Sequence, residues 1–200
     1  MKTTTISPSV YYFGTPVALI TTLTTADGST NITPISSAWA LDGTYVLGIG
    51  RDSQAVRNLH QCPELVINLP DASQVEAIEA IAPTTGSPDI PVHKVGRYRH
   101  EPDKWRLGGF SARRSDLVRP DRIAQCPVQI EARVSRFTPL DDGDDVVIAH
   151  AQVVRTHAHA HLVLPGSSHI DLETWRPVYS TFRHYFSQGE AVGVNFRAEQ

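Results

Sequence analysis

The chain has 200 residues, 40% of them hydrophobic and 20% charged, with a formal net charge of −3. This composition suits a globular domain large enough to bury a substantial core, and it gives no reason to expect a nucleic acid or a membrane surface as partner. No apolar run reaches the ~20 residues of a transmembrane helix.

The opening MKTTTISPSVYYF carries one lysine and no long apolar stretch, unlike a secretory signal. Cys62 and Cys126, each followed by proline, are therefore expected as free thiols in the cytoplasm. With no internal repeat or low-complexity tract, residues 1–200 read as a single domain. Tyr11, Tyr12 and Phe13 before Gly14 form an aromatic lead-in expected to pack on that domain.

Val17–Thr25 is rich in β-branched residues, Asp27-Gly28 supplies a tight turn, and Thr30–Ser37 runs back, which is a strong hairpin signal. Tyr45–Gly50 reads as a third strand. Ser53–Gln61 places Ala55, Val56 and Leu59 on one helical face, Cys62-Pro63 ends the helix, and Glu64–Leu69 is a fourth strand. A helix N-terminus attracts anions through its unpaired N–H groups and its dipole. Arg51 and Ser53 stand beside it, as phosphate donors or as a surface charge and an N-cap.

Ala72–Ala82 spells an amphipathic helix, with Val75, Ile78 and Ile81 inward and Glu76 and Glu79 outward. Prolines and glycine break regular structure over Pro83–Pro91. His93–Phe110 is a basic insert interleaved with Tyr98, Trp105 and Phe110. It suits contact with a pyridine dinucleotide, a cover over a cofactor, or a dimer seam; the overall charge argues against single-stranded nucleic acid.

Pro127–Leu140 alternates, with Val128, Ile130, Ala132, Val134 and Phe137 on one face and Gln129, Glu131, Arg133 and Ser135 on the other. The slip before Phe137 predicts a bulge. Asp141–Asp145 reads as the turn to a strand over Val146–Val154; it lacks the glutamate of a helix–loop–helix calcium loop. His157, His159 and His161 would share one face if the strand continued through them, which raises a zinc-, iron- or nickel-type site as an alternative. In the tail Arg176–Glu190, Tyr179 and Tyr185 are candidates for ligand contact, His184 a weaker one, and barrel capping by Tyr179, Phe182 and Phe186 is the other reading.

Short strands separated by turn signals predict a mainly β fold, a small closed or split barrel with two or three outer helices. A doubly wound parallel sheet is not expected, because no Gly-x-Gly-x-x-Gly occurs and strands do not alternate with long helices.

The succession PVALITT, DG, N…P.SS, GIGRDSQAVRNL and ELVINLP resembles the flavin reductase family with an FMN-binding split β-barrel. The resemblance implies that Asn31, Thr33, Ser36 and Ser37 lie along an isoalloxazine ring, and that Arg51 and Ser53 hold the FMN phosphate. Ala55 departs from the family, which often has threonine there. The implied function is an FMN-dependent oxidoreductase, an NAD(P)H:flavin reductase passing hydride from nicotinamide to flavin N5, with FAD as the alternative flavin. NADH or NADPH would be a transient donor, the cofactor would carry the chemistry, and no catalytic side chain or metal is assigned. A homodimer is implied, because the family builds part of its flavin site across the subunit interface. Two alternatives stand beside this reading: a non-catalytic flavin- or haem-binding carrier or sensor on the same barrel, and a histidine metalloenzyme using His157, His159 and His161. A serine hydrolase is unsupported, since no Gly-x-Ser-x-Gly elbow occurs.

Overall fold

The computed structural model describes residues 1–141, 143 and 145–196. Its first strands are β1 (Phe13–Pro16), β2 (Ala18–Leu23), β3 (Thr30–Ile35), β4 (Ala38–Leu41) and β5 (Thr44–Gly50). Helix α1 (Gln54–Gln61) follows, then β6 (Glu64–Leu69), a 3₁₀ turn, α2 (Val75–Ile81) and β7 (Thr84–Thr85). The insert holds β8 (Arg99–His100), α3 (Lys104–Leu107) and β9 (Ala112–Arg113). The chain closes with β10 (Arg122–Ile123), β11 (Val128–Pro139), β12 (Val146–Ala158), β13 (Val178–Thr181) and β14 (His184–Ser187).

Seven strands form one sheet in the order β3-β2-β6-β11-β12-β5-β4, and β1-β13-β14 form a second. The Asp27-Gly28 hairpin is present: β2 pairs antiparallel with β3, and Gly28, at φ +74, donates its N–H to Thr24 O. Only glycine adopts that backbone without strain. The slip before Phe137 is a register shift between Val134 and Arg136, and a second shift follows Glu131. Such irregularities increase local twist, which lets a long sheet curl.

One buried cluster joins the sheet to α1, with Ala18, Ile20, Leu47, Leu59, Leu65 and Ile67 among its members. A second joins Leu19 and Ile32 to Ile78 and Ile81 of α2 and to Phe110. The β2–β3 hairpin is therefore packed from both sides, which is why β2 is buried through Thr21 and Thr22 as well as its aliphatics. These threonines are satisfied: Thr21 donates to Asp121 O at 2.7 Å and Thr22 accepts from the Asn58 amide at 3.1 Å.

Four expectations change. The polar face of Pro127–Leu140 is not uniform, because Gln129 and Glu131 are as buried as their neighbours while Arg133 and Ser135 are exposed. The segment carrying Asp116 and Leu117 covers that face and donates two backbone N–H groups to Glu131. The histidines do not share a strand, since β12 ends at Ala158, His159 caps the 3₁₀ turn Ala160–Leu162 beyond it and His161 lies within that turn. Tyr11 and Phe13 are largely exposed, and Tyr12 alone of the lead-in is half-buried, its hydroxyl bonded to that of the half-buried Ser37. Residues 83–91 are not wholly irregular, because β7 pairs in parallel with β8. Asp142 and Asp144, part of the aspartate turn, lie outside the described residues; β11 and β12 on either side of it pair antiparallel.

Candidate functional site

Ser53 caps α1, its hydroxyl accepting the Val56 N–H at 3.2 Å, and the helix begins where β5 ends at Gly50. The β5–α1 junction thus aims a helix N-terminus into the space between β3, β7 and the insert. A cavity of about 280 Å³ lies there. Its polar lining comes from Thr33, Ser53, Gln54, Thr84 and Thr85, and its cations are Lys94 and Lys104.

Lys104 is 4% exposed, at the start of α3. Its Nζ donates to Ile32 O at 2.8 Å and Thr84 O at 3.5 Å. Among the described residues no carboxylate lies within ion-pair distance of it. Burial pushes its pKa down to about 8; Glu101 opposes that shift and the positive charge of Lys94 adds to it. Lys94, half-buried, stands 5.7 Å from the Tyr98 ring centre.

A second cavity, about 380 Å³, continues from the first and shares Pro34, Ile35, Gly50, Ala82 and Tyr98 with it. Its own walls bring Ser36, Ser37, Tyr12 and Tyr185 together with apolar Val17, Ile78 and Val146. The Ser37 and Tyr12 hydroxyls share a hydrogen bond of 2.8 Å. Tyr185 donates to Glu79 Oε1 at 2.5 Å; burial, and then that acceptor, raise its pKa. The result is a cleft that is cationic at one end and lined by hydroxyls and aromatic rings at the other.

Of the six residues expected at the site, Thr33 and Ser53 line its cationic end, and Ser36 and Ser37 its aromatic end. Asn31 lies behind the wall: its amide donates to Thr33 Oγ1 at 3.0 Å, and its side chain fills the place a Cβ on Gly86 would need. Arg51 lines neither cavity: it is exposed, its guanidinium 3.4 Å from Asp141 O. Sequence reasoning missed Thr84, Thr85 and Gly86, and it did not separate Lys94 and Lys104 from the other cations of the insert. Nothing local marks Lys104, which is one basic residue among seven until the fold buries it. Two of the insert aromatics pack within the chain: the Trp105 indole donates to Thr30 O at 2.6 Å, and Phe110 joins the second core, while Tyr98 is exposed to both cavities. Tyr179 is not in the cleft lining, whereas Tyr185 is.

The three histidines are not brought to one point. His157 Nε2 donates to Glu131 Oε1 at 2.6 Å, and His159 Nε2 lies 3.0 Å from Ala124 O. Asp116, Glu131 and His157 are close enough together to suggest a cation. Arg155, however, holds Asp116 at 2.7 Å, and both Glu131 oxygens already accept backbone N–H groups. That group is an ion-pair network pinning a loop to the sheet.

The class defined by this fold and cleft is a split barrel with a groove beside a helix N-terminus. The chain belongs to the flavin reductase-like family, whose domain, described as "Flavin reductase like domain", matches residues 10–178. It is 37% identical over 195 residues, 97% of this chain and 93% of the relative, to the "Uncharacterized protein YdfE" of Bacillus subtilis (strain 168). The flavoredoxin of Desulfovibrio vulgaris (Miyazaki F) shares its fold at a TM-score of 0.80, with 16% identity and 99% of each chain covered. Nitrilotriacetate monooxygenase component B from Bacillus cereus superimposes at a TM-score of 0.72, with 21% identity over 94% of this chain and 89% of that one.

Proposed function

We propose that the cleft binds FMN and that the protein is an NAD(P)H:flavin reductase acting as a homodimer in the cytoplasm. The observation that carries this reading is the buried, carboxylate-free Lys104 at one end of a groove whose other end is lined by hydroxyls and aromatic rings. A ligand with an anionic tail and a planar, polar-edged body fits that order. A terminal phosphate brings close to two negative charges at neutral pH. Two lysines and the α1 N-terminus suit it, and this favours FMN over FAD.

Lys104, Lys94 and Ser53 would hold the phosphate. Thr33, Ser36 and Ser37 would align the ring edge, with Tyr12, Tyr98 and Tyr185 around it. A bound flavin supplies the hydride-accepting chemistry. The chain's own residues bind and orient: Asn31 fixes the Thr33 hydroxyl, Tyr12 fixes that of Ser37, and Val17 and Ile78 keep water from one wall. No side chain of the cleft is assigned as general acid or base.

Support for a homodimer comes from β4, an edge strand of the large sheet on which Trp39 and Leu41 are 53% and 62% exposed. The free, buried Cys62 and Cys126 accord with a reducing compartment.

The test is the visible spectrum of the purified protein, with FMN and then NADH or NADPH added. Bands near ~375 and ~450 nm that bleach with reduced nicotinamide are expected. A protein that ignores FMN sinks the reading, and one that binds FMN without bleaching is a carrier instead.

A further inference from the structure

We propose that Lys104 is a titrating counter-charge for the ligand's phosphate, so that phosphate binding draws a proton into the cleft and weakens as alkaline pH removes it. This rests on the flavin reading above and adds a regulation of the same site.

The geometry comes first. An ammonium has three donors, and Lys104 spends two of them on the carbonyls of Ile32 and Thr84. Both acceptors are neutral, so its charge is buried without a compensating one, a costly arrangement. Its end of the cleft is the cavity shared with Lys94 and Ser53. The charged groups around it do not remove the imbalance. On its own segment, Glu101 acts at a distance and its carboxylate instead accepts the Asp103 N–H. From the turn over 92–94, Lys94 adds to the positive charge. On α1, Arg57 is directed to Ser87 Oγ at 2.7 Å. On α2, Glu76 and Glu79 are exposed, and Glu79 is engaged by Tyr185. Tyr98 lies between the two cavities, and β3 and β7 contribute no ionisable side chain.

A phosphate entering the cavity supplies the missing anion and favours the charged amine. With the free-state pKa near 8, roughly a quarter of Lys104 is protonated at pH 8.5, by simple titration. The phosphate, whose second ionisation lies near ~6, is already dianionic there and contributes no proton.

Titration calorimetry of the full chain at pH 8.5, in two buffers of different ionisation enthalpy, counts the protons. Wild type is expected to take up roughly three quarters of a proton per FMN, by the same titration, and none with riboflavin, which shares the ring and lacks the phosphate. Lys104→Arg, charged at every accessible pH, should bind FMN without uptake. Lys104→Met should bind FMN at least about tenfold more weakly, with riboflavin affinity unchanged. Absence of uptake in wild type, or equal uptake in Lys104→Arg, overturns the proposal. If wild type binds no flavin, the flavin reading fails separately. Inorganic phosphate in the same two buffers then decides for Lys104: uptake lost in Lys104→Arg supports the counter-charge, and no uptake overturns it.

Discussion

The hydroxyls of Tyr12 and Ser37 lie 2.8 Å apart, tying the N-terminal aromatic segment to the link between β3 and β4 at the edge of the cleft. This contact fixes the Ser37 hydroxyl where a ring edge would meet it. Tyr12→Phe should lower flavin affinity by roughly fivefold, the worth of one neutral hydrogen bond, with little change in thermal stability. Quenching of flavin fluorescence measures the affinity, and an unchanged value would remove Ser37 from the ring site.

Gly86 is required by Asn31. A Cβ at position 86 would overlap the Asn31 amide oxygen and press on Gln54 Cγ at 3.3 Å. Gly86→Ala should cost about 1–3 kcal/mol, as overpacking does, and should displace Thr33 through its bond to Asn31. Thermal denaturation and FMN titration should report both losses together.

Arg51 and Lys104 should differ in weight. Arg51 is exposed and lines neither cavity, so water screens its charge. Arg51→Ala should weaken FMN binding less than about tenfold, that is by under ~1.4 kcal/mol, and Lys104→Met should exceed it. The ratio of the two dissociation constants decides the order.

Acid sensitivity should concentrate at Glu131. Burial acts to raise its pKa, but the N–H groups of Asp116 and Leu117 and the His157 ring outweigh burial and hold it below the usual carboxylate value. A depressed folded-state pKa gives stability that is present above the unfolded value, near ~4.3, and lost as pH falls through the folded one. Glu131→Gln should lower stability at pH 7 and flatten its acid dependence below about pH 5. Chemical denaturation at several pH values tests both effects.

Trp39 and Leu41 test the dimer. Trp39→Glu with Leu41→Lys places charge on the exposed β4 edge, where it disfavours strand and apolar association. The doubly substituted protein should elute as a monomer if wild type elutes as a dimer, and an unchanged profile would move the interface elsewhere.

Much of the frame was legible from local chemistry. Asp27-Gly28 spells the hairpin, Ser53 and Pro63 bracket α1, and the period of Val75, Ile78 and Ile81 marks α2, because turns, caps and amphipathic faces are fixed by residues near one another. The cleft itself was half legible: Thr33, Ser36, Ser37 and Ser53 belong to those local elements and reach it. Burial was not. Lys104 reads like Arg97 or Arg106 until α3 packs on β3 and α2, and Glu131 reads as a solvent-facing residue until the loop at Asp116 lies over it. The sequence alone determines which segments form strands, turns and helices, since those depend on neighbours within a few residues. Which charges lose their water, and which of them then face the cleft, was decided only by the tertiary structure, because desolvation depends on contacts between segments far apart in the chain.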